Sequence, residues 1–492
     1  MKFYTNVHYS GTSLKYRQIK NGVRTKGTIP FEPCLYIPTK SATTLKTLDG
    51  RNVDQVKFNS LFELKEFKNT YSNVEGFELH GDIGIEYQYI SKEYGPESEY
   101  DFSQLKILYI DIETTCEDGF PDIDIASESV IVVSCMIDGK IDVYCLGQYE
   151  NESDNVTVHC YDDEKQLLYD LVEYFGKHEP DIITGWNVRF FDIPYLVNRI
   201  KSFKDSQLKV SKLSPFGVVK EKKITKQGKE HTIFDIHGIA TMDYYELYKT
   251  FTYVNQESYK LDHIAWVELG ERKVSYQEYD SISDFYKKNF KKFVEYNIKD
   301  TELVAKLEKK MRLMELAVAL AHSAGVNYVD VFSQVKTWDV IIYHHLLNKN
   351  IVIPPKTSNV KEDQYAGAYV KEPQVGRHKW VVSFDIASMY PNIIIQNNIS
   401  PETMVEQIDF KIKVEDIINP SDNTKKVYSE CVDKDVTISA NGTCYTKDTI
   451  GFLPELMDKM FKERKKFKNK MIESKQKLEL IDNEIKLRGL MT

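Results

Sequence analysis

Asp111 and Glu113 close an apolar run at residues 105–113, LKILYIDIE. Read as a strand, the run puts side chains two apart on one face, so two carboxylates stand side by side. Like charges that close raise each other's pKa unless a cation neutralises them. Acidic residues follow at Glu117, Asp118, Asp122 and Asp124, so the run alone also reads as a strand passing into an acidic loop. Two pieces lie downstream. Thr184-Gly185-Trp186-Asn187 leads to Phe191-Asp192, and Tyr296-Asn297-Ile298-Lys299-Asp300 places Tyr296 and Asp300 one helical turn apart on one face. Each piece has a plain structural reading: Asp192 as a helix cap, Asp300 as a surface residue, Tyr296 as packing. Together, four carboxylates and a tyrosine suit two-metal hydrolysis of a phosphodiester. One ion lowers the pKa of the attacking water and the other stabilises the leaving oxygen. Magnesium takes oxygen ligands and keeps several waters, so a few carboxylates suffice. A tyrosine hydroxyl can orient the water.

The elements that must position these residues follow from pattern. Residues 105–200 alternate strand and helix: LKILYID, then SVIVVSCMI and KIDVYCL as a hairpin, then the amphipathic EKQLLYDLVEYFGKH, the strand PDIITGWN and a helix at 193–201. That order predicts a mixed sheet with helices packed on it. Gly185 is expected to let the chain turn out of its strand. Residues 1–104 read as a β-rich module, with strands at 3–9, 13–19 and 34–37 between Gly11, Asn21-Gly22 and Pro30. Residues 214–238 read as a protruding hairpin with Gln227-Gly228 at its turn and one face almost wholly basic. Helical period runs through 286–324, where LAVALA at 316–321 reads as a buried helix, and through 335–350, ending before Pro354-Pro355. KWVVSFDIA at 379–387 reads as a second buried strand ending in an aspartate, and 454–489 as a long Lys-rich helix.

A chain of 492 residues exceeds one core, and about two to four domains are expected. Hydrophobic content of 42% and charged content of 28% describe an ordinary soluble globular protein. A net charge of −9 excludes a basic nucleic-acid coat, but not nucleic-acid binding through a local patch. The seven cysteines are scattered and lack Cys-x-x-Cys spacing, so they read as reduced thiols. The start, MKFYTNVHYSG, lacks the apolar core of a signal peptide. No apolar run approaches the roughly 20 residues that span a bilayer, so no membrane partner is expected.

A second constellation is Asp385-Ile386-Ala387-Ser388-Met389-Tyr390-Pro391. On pattern alone it is a strand ending at a helix cap. The last helix carries Lys459, Lys462, Arg464, Lys465, Lys466, Lys468 and Lys470, with Arg464 and Lys468 on one face. Arginine offers a fork to phosphate and lysine a point charge, though such a helix is also a plain solvated face.

The three acidic pieces resemble the exonuclease motifs of the proofreading domain of family B DNA polymerases: Asp-x-Glu, Asn-x-x-x-Phe-Asp and Tyr-x-x-x-Asp, all unbroken here. The resemblance implies an α/β and α+β multidomain fold. A ribonuclease-H-like 3′→5′ exonuclease domain at 105–312 would carry the hairpin 214–238. A β-rich N-terminal domain (1–104, completed by about 313–354), a partial palm (355–455) and a first fingers helix (456–492) would flank it. The resemblance implies Asp111, Glu113, Asp192 and Asp300 as metal ligands, Tyr296 as the residue aligning the water, and mispaired DNA 3′ ends as substrate. In phage members the hairpin helps separate primer from template.

The 385–391 run is similar to the first polymerase motif, Asp-x-x-Ser-Leu-Tyr-Pro, with Met389 in place of leucine. By resemblance Asp385 is catalytic and binds both metals together with the Ile386 carbonyl. Ser388 and Met389 offer backbone N–H groups to the triphosphate, Tyr390 excludes a 2′-hydroxyl, and Arg464 and Lys468 contact the incoming nucleotide. Tyr365-Ala366-Gly367-Ala368-Tyr369 resembles the segment linking exonuclease and palm, and Ser400-Pro401-Glu402-Thr403 fits the phage type. The implied cofactor is Mg2+, two ions per site, with Mn2+ as an alternative. The implied partners are primer–template DNA, deoxynucleoside triphosphates and a sliding clamp, in the cytoplasm of an infected bacterial host.

The family's Asn-Ser-x-Tyr-Gly fingers signature and its Asp-Thr-Asp palm motif do not occur in this sequence. The expected reading is the N-terminal part of a replicative DNA polymerase, with a complete exonuclease site and half a polymerase site. DNA synthesis would need a second chain carrying the remaining fingers, palm and thumb. A stand-alone exonuclease would have no reason to keep residues 385–390. A non-catalytic nucleic-acid-binding fragment would have no reason to keep the acidic set.

Overall fold

Tight turns set the first sheet. Strands β1 (Lys2–Ser10), β2 (Ser13–Lys20) and β3 (Val23–Pro30) form an antiparallel meander. Asn21 and Gly22, both at positive φ, make the two-residue turn that right-handed strand twist favours. The computed structural model describes residues 1–71, 74–95, 98–115, 119–226, 228–356, 370–412 and 414–488. The chain divides into two compact units, Met1–Ile37 with Asp54–His344, and Pro38–Val53 with His345–Thr492.

In the first unit, β4 (Cys34–Pro38), β5 (Val53–Lys57), α1 (Leu61–Tyr71) and α2 (Ile85–Glu93) follow the meander. A six-stranded mixed sheet comes next. It is built from β6 (Ile107–Thr114), β7 (Val130–Ile137), β8 (Lys140–Leu146), β9 (Val156–Tyr161), β10 (Ile182–Thr184) and β13 (Ala240–Thr241), in the order β13-β10-β6-β7-β8-β9. β6 is parallel to β10 and antiparallel to β7. The β7–β8 hairpin closes at Asp138-Gly139, both at positive φ. Leu108, Ile110 and Ile112 of β6 pack into a core with α3 (Glu164–His178) and α4 (Asp192–Ser202). Tyr109 packs on the opposite face, with residues of α8 (Phe290–Met311). Period two therefore delivers Asp111 and Glu113 to the α8 side. A one-residue slip would drive both carboxylates into the apolar core and expose three aliphatic side chains, each worth about 1.5–3 kcal/mol when buried, so the register is strongly specified.

The hairpin predicted at 214–238 is β11 (Val219–Lys226) and β12 (Lys229–Ile236), with Lys226 opposite Lys229; Gly228 is left-handed and Gln227 lies outside the described residues. Its basic face is less bare than its sequence suggests. Lys222 pairs with Asp235 and Lys223 with Glu230, because strand pairing brings the acids of β12 alongside the lysines of β11, and Lys226 pairs with Glu246 from outside the hairpin. Helices α5 (Tyr244–Phe251), α6 (Leu261–Leu269) and α7 (Ile282–Lys288) lead to α8, then to α9 (Leu313–Ala324) and α10 (Gln334–Leu347). The run at 316–321 lies in α9, but Leu316 and Leu320 are exposed, so the helix buries one face only. The Tyr4 hydroxyl donates to the Val326 carbonyl at 2.7 Å, and the Asn327 side chain bonds both backbone groups of Val7, tying the meander to the segment after α9.

The second unit holds α11 (Met389–Gln396), a sheet of β14 (Met404–Gln407), β15 (Val436–Ile438) and β16 (Thr443–Thr446), helices α12 (Val414–Ile418) and α13 (Asp422–Asp433), and the 36-residue α14 (Phe452–Leu487). The turn at 400–402 caps α14. Glu402 accepts from the Phe452 N–H, and Asn398 accepts from the Gly451 N–H. The strand expected at 379–387 is absent. Its apolar residues are exposed, Trp380 at 97% and Phe384 at 92%, and Trp380 has a left-handed φ of 58° that an extended strand cannot take. A strand also needs a neighbour for its backbone, and among the described residues β14, β15 and β16 pair only among themselves. Residues 365–369, with their linker-like motif, lie outside the described residues, as do Cys116, Glu117 and Asp118. Among the described residues, no helix is long and apolar enough to cross a membrane.

Candidate active site

The acidic pieces meet where β6 runs beneath α8. Carboxylate oxygens of Asp111, Glu113 and Asp300 all lie within 4.8 Å of one another. Tyr296 and Asp300 project one turn apart from α8, as their spacing predicts, and both are buried. Asp192 approaches from α4. It is the first residue of α4 and does not cap it; its Oδ1 accepts from the Ile112 N–H at 3.0 Å. It still contributes negative charge.

The cluster holds more negative charge than its surroundings offset. Asp111 is pushed well above the carboxylate range by lost hydration and by Asp300, Asp192 and Glu113. Glu113 is pushed up to about 8 by lost hydration, partly offset by Lys273. Asp192 rises to about 7 and Asp300 to about 6, each chiefly through burial. Such shifts gather where a site is built for chemistry.

Lys273, in the loop after α6, supplies the cation that sequence pattern does not reveal. Its ammonium pairs with Asp300, donates to the Tyr296 hydroxyl and sits 4.3 Å from the centre of the Tyr296 ring. Burial works against its charge, but Asp300, Tyr296 and Asp111 outweigh it and hold Lys273 above its ordinary value. Burial and Asp300 keep the Tyr296 hydroxyl protonated.

The donor set fits a hard divalent cation. All ligands are oxygens, which suits Mg2+ or Mn2+. Among the described residues the buried Asp300 Oδ1 has no hydrogen-bond partner, which leaves it for an ion. Asp111, Glu113 and Asp300 would hold the ion.

Asp243 builds the turn leading to Asp192, another role the sequence does not signal. This fully buried carboxylate accepts from the N–H groups of Asn187 and Arg189, each at 3.0 Å, and from Tyr245 at 2.9 Å, and burial raises it to about 7. The left-handed residue of that turn is Asn187, at φ 71°, not Gly185. Gly185 serves another need: a Cβ there would lie 2.4 Å from the Ile110 carbonyl oxygen. Gly185→Ala is therefore expected to cost about 1–3 kcal/mol of stability by forcing β6 and β10 apart. Gly176→Ala, in open space on α3, should be neutral or stabilising by about 0.5–1 kcal/mol. Urea unfolding of the two variants checks the contrast.

A cleft of about 1270 Å3 opens over the cluster. Trp186, Tyr245, Tyr259 and Tyr276 line it, with Lys260 and Arg272.

The second constellation lies in the other unit. Ser388, left-handed at φ 52°, precedes α11, and its Oγ accepts from Arg464 of α14 at 3.4 Å. These two nucleotide-binding candidates therefore meet. Asp385, Ile386, Met389, Tyr390 and Lys468 are exposed, and among the described residues Asp385 joins no group of three ligating side chains.

Comparison with known proteins gives a consistent result. A family described as DNA polymerase family B, exonuclease domain, matches residues 61–264, and DNA polymerase family B matches residues 332–485. The DNA-directed DNA polymerases of Escherichia phage RB69 and Enterobacteria phage T4 are 32% and 29% identical to this chain, each over 98% of it and 55% of the relative. The DNA polymerase of Pyrococcus glycovorans is 25% identical over 76% of this chain and 44% of its own length. The chain spans about half the length of the curated relatives it matches. The acidic motifs on β6, α4 and α8 and the two matches of one family, which flank the α8 motif, agree: the chain belongs to DNA polymerase family B, and it carries the family's exonuclease domain.

Proposed function

We propose that this chain is the N-terminal part of a replicative DNA-directed DNA polymerase, and that its acidic cleft removes nucleotides from DNA 3′ ends. The clustering of Asp111, Glu113 and Asp300 around an unpartnered Asp300 oxygen carries this reading. Bound divalent ions would activate the attacking water and stabilise the leaving oxygen. The chain's own residues do the rest. Aromatic faces at Trp186, Tyr245, Tyr259 and Tyr276 stack unpaired bases, a sequence-tolerant contact that favours a frayed, mispaired end over a duplex. Lys260 and Arg272 attract the phosphates. Lys273 donates to the Tyr296 oxygen, which leaves the phenolic proton free to orient the water.

Residues 1–104 with about 313–354 are assigned to an N-terminal domain, which the bonds from Tyr4 and Val7 to Val326 and Asn327 support. Residues 105–312 are assigned to the exonuclease domain and 355–455 to part of the palm, followed by a fingers helix. In the second unit, Ser388 and Arg464 are suited to a triphosphate, and Asp385 would supply one metal-binding carboxylate. One aspartate cannot hold two ions for nucleotidyl transfer. DNA synthesis is therefore proposed to need residues outside these 492, on a continuation of the polypeptide or on a second chain.

The test uses the purified chain and a labelled primer–template with a mismatched 3′ end. Shortening from the 3′ end in Mg2+, none in EDTA, and no extension with deoxynucleotides are expected. An unshortened primer in Mg2+ or Mn2+ would sink the exonuclease reading. Extension by these 492 residues alone would sink the half-site reading.

A further inference from the structure

Asp111 is not held by the cluster alone. Its Oδ2 accepts from the Asn297 side-chain amide at 2.7 Å, and the Asn297 Oδ1 in turn accepts from the Ser134 hydroxyl. Asn297 and Ser134 are both fully buried. The arrangement follows from the fold. Ser134 on β7 is the cross-strand partner of Asp111 on β6, so the two side chains share the α8 face of the sheet. Asn297 lies three residues before Asp300 on α8, so one helix face brings both to the strands. Chemistry fixes the direction of the chain of bonds. In its ion-binding, ionised form Asp111 only accepts, so the Asn297 NH2 must face it, and the Asn297 carbonyl is left for the serine proton.

We infer that Asn297, oriented by Ser134, is a positioning residue that locks the Asp111 carboxylate at ligand spacing from Glu113 and Asp300 before an ion arrives. The inference rests on the metal-dependent exonuclease reading above. A neutral amide suits the task better than a cation. It restrains the carboxylate's rotation while leaving its full negative charge for the ion, whereas Lys273 on Asp300 competes with an ion for that charge. Groups that orient metal ligands from behind commonly set affinity or activity by about 10–100-fold. Ser134 adds the second restraint: without its proton the amide could turn its oxygen toward Asp111.

The test compares Asn297→Leu, close in volume but unable to donate, with Ser134→Ala. Mn2+ binding to the whole chain without DNA is read by electron paramagnetic resonance, with Asp111→Asn as the control that identifies this cluster. Primer shortening is then titrated with Mn2+. Asn297→Leu is expected to weaken Mn2+ binding about 10–100-fold and to shift the metal midpoint of shortening equally, while KM for the primer stays unchanged. Ser134→Ala is expected to do the same to a smaller degree. Wild-type Mn2+ affinity in a folded Asn297→Leu protein would overturn the inference. If that variant does not fold, wild-type affinity in Ser134→Ala overturns it instead. A wild-type chain that neither binds Mn2+ at this cluster nor shortens the primer would overturn both this inference and the reading beneath it. Binding and shortening that both variants leave intact would overturn the inference alone.

Discussion

Glu113→Gln is expected to abolish 3′-end shortening while making the metal-free protein more stable. The loss should reach about a thousandfold, the scale of removing a group that stabilises developing charge at a reaction centre. Its cause is local. Glu113 is one of three carboxylates within 4.8 Å, and among the described residues no fourth acid joins that group. The gain in stability has the same origin. Lost hydration and the neighbouring acids disfavour charge at Glu113, and glutamine keeps the shape without the charge. A gain of about 1–2 kcal/mol is expected, typical of relieving strain built in for function. Urea unfolding in EDTA, beside a shortening assay in Mg2+, checks both halves. Reduced stability with retained cleavage would show that Glu113 is a structural residue.

The acids of the site were legible because they follow local periods. Asp111 and Glu113 obey the strand's period of two, and Tyr296 and Asp300 the helix's turn. The groups that orient and neutralise them were not legible. Ser134 reads as a flaw in the apolar run VIVVSCMI until β7 pairs with β6 and sets it opposite Asp111. Lys273 sits in a loop with no periodic signal and meets Asp300 only through tertiary packing. For Asp192 the plain alternative to a metal ligand, a helix cap, fails for a reason the sequence cannot show: the neighbouring strand offers its carboxylate the Ile112 N–H. Residues 379–387 show the opposite failure. Their composition suits a buried strand, but composition cannot supply the adjacent strand that such a segment requires, and none is present among the described residues.

Lys273→Met should separate the two services this residue performs. In the metal-free protein its ammonium is the counter-ion of the cluster, paired with Asp300 and bonded to Tyr296. Removing one member of a buried pair leaves the other charge uncompensated, at a cost of about 3–5 kcal/mol; the lower end applies here, since the Lys273 side chain is 22% exposed. Divalent ions can restore the missing charge. The melting temperature of Lys273→Met is therefore expected to rise with Mn2+ more steeply than that of the wild type, approaching about 2.7 kcal/mol of stabilisation when free Mn2+ reaches a hundredfold over its dissociation constant. Activity is not expected to return with the metal, because Tyr296 has lost the donor that leaves its own proton free for the water. A double-mutant cycle sharpens the test. If Lys273 and Glu113 act through one pool of charge, Lys273→Met combined with Glu113→Gln should be more stable in EDTA than the sum of the single effects. Strict additivity, with an unchanged Mn2+ response, would place Lys273 outside the electrostatics of the site and leave it a packing residue against the Tyr296 ring.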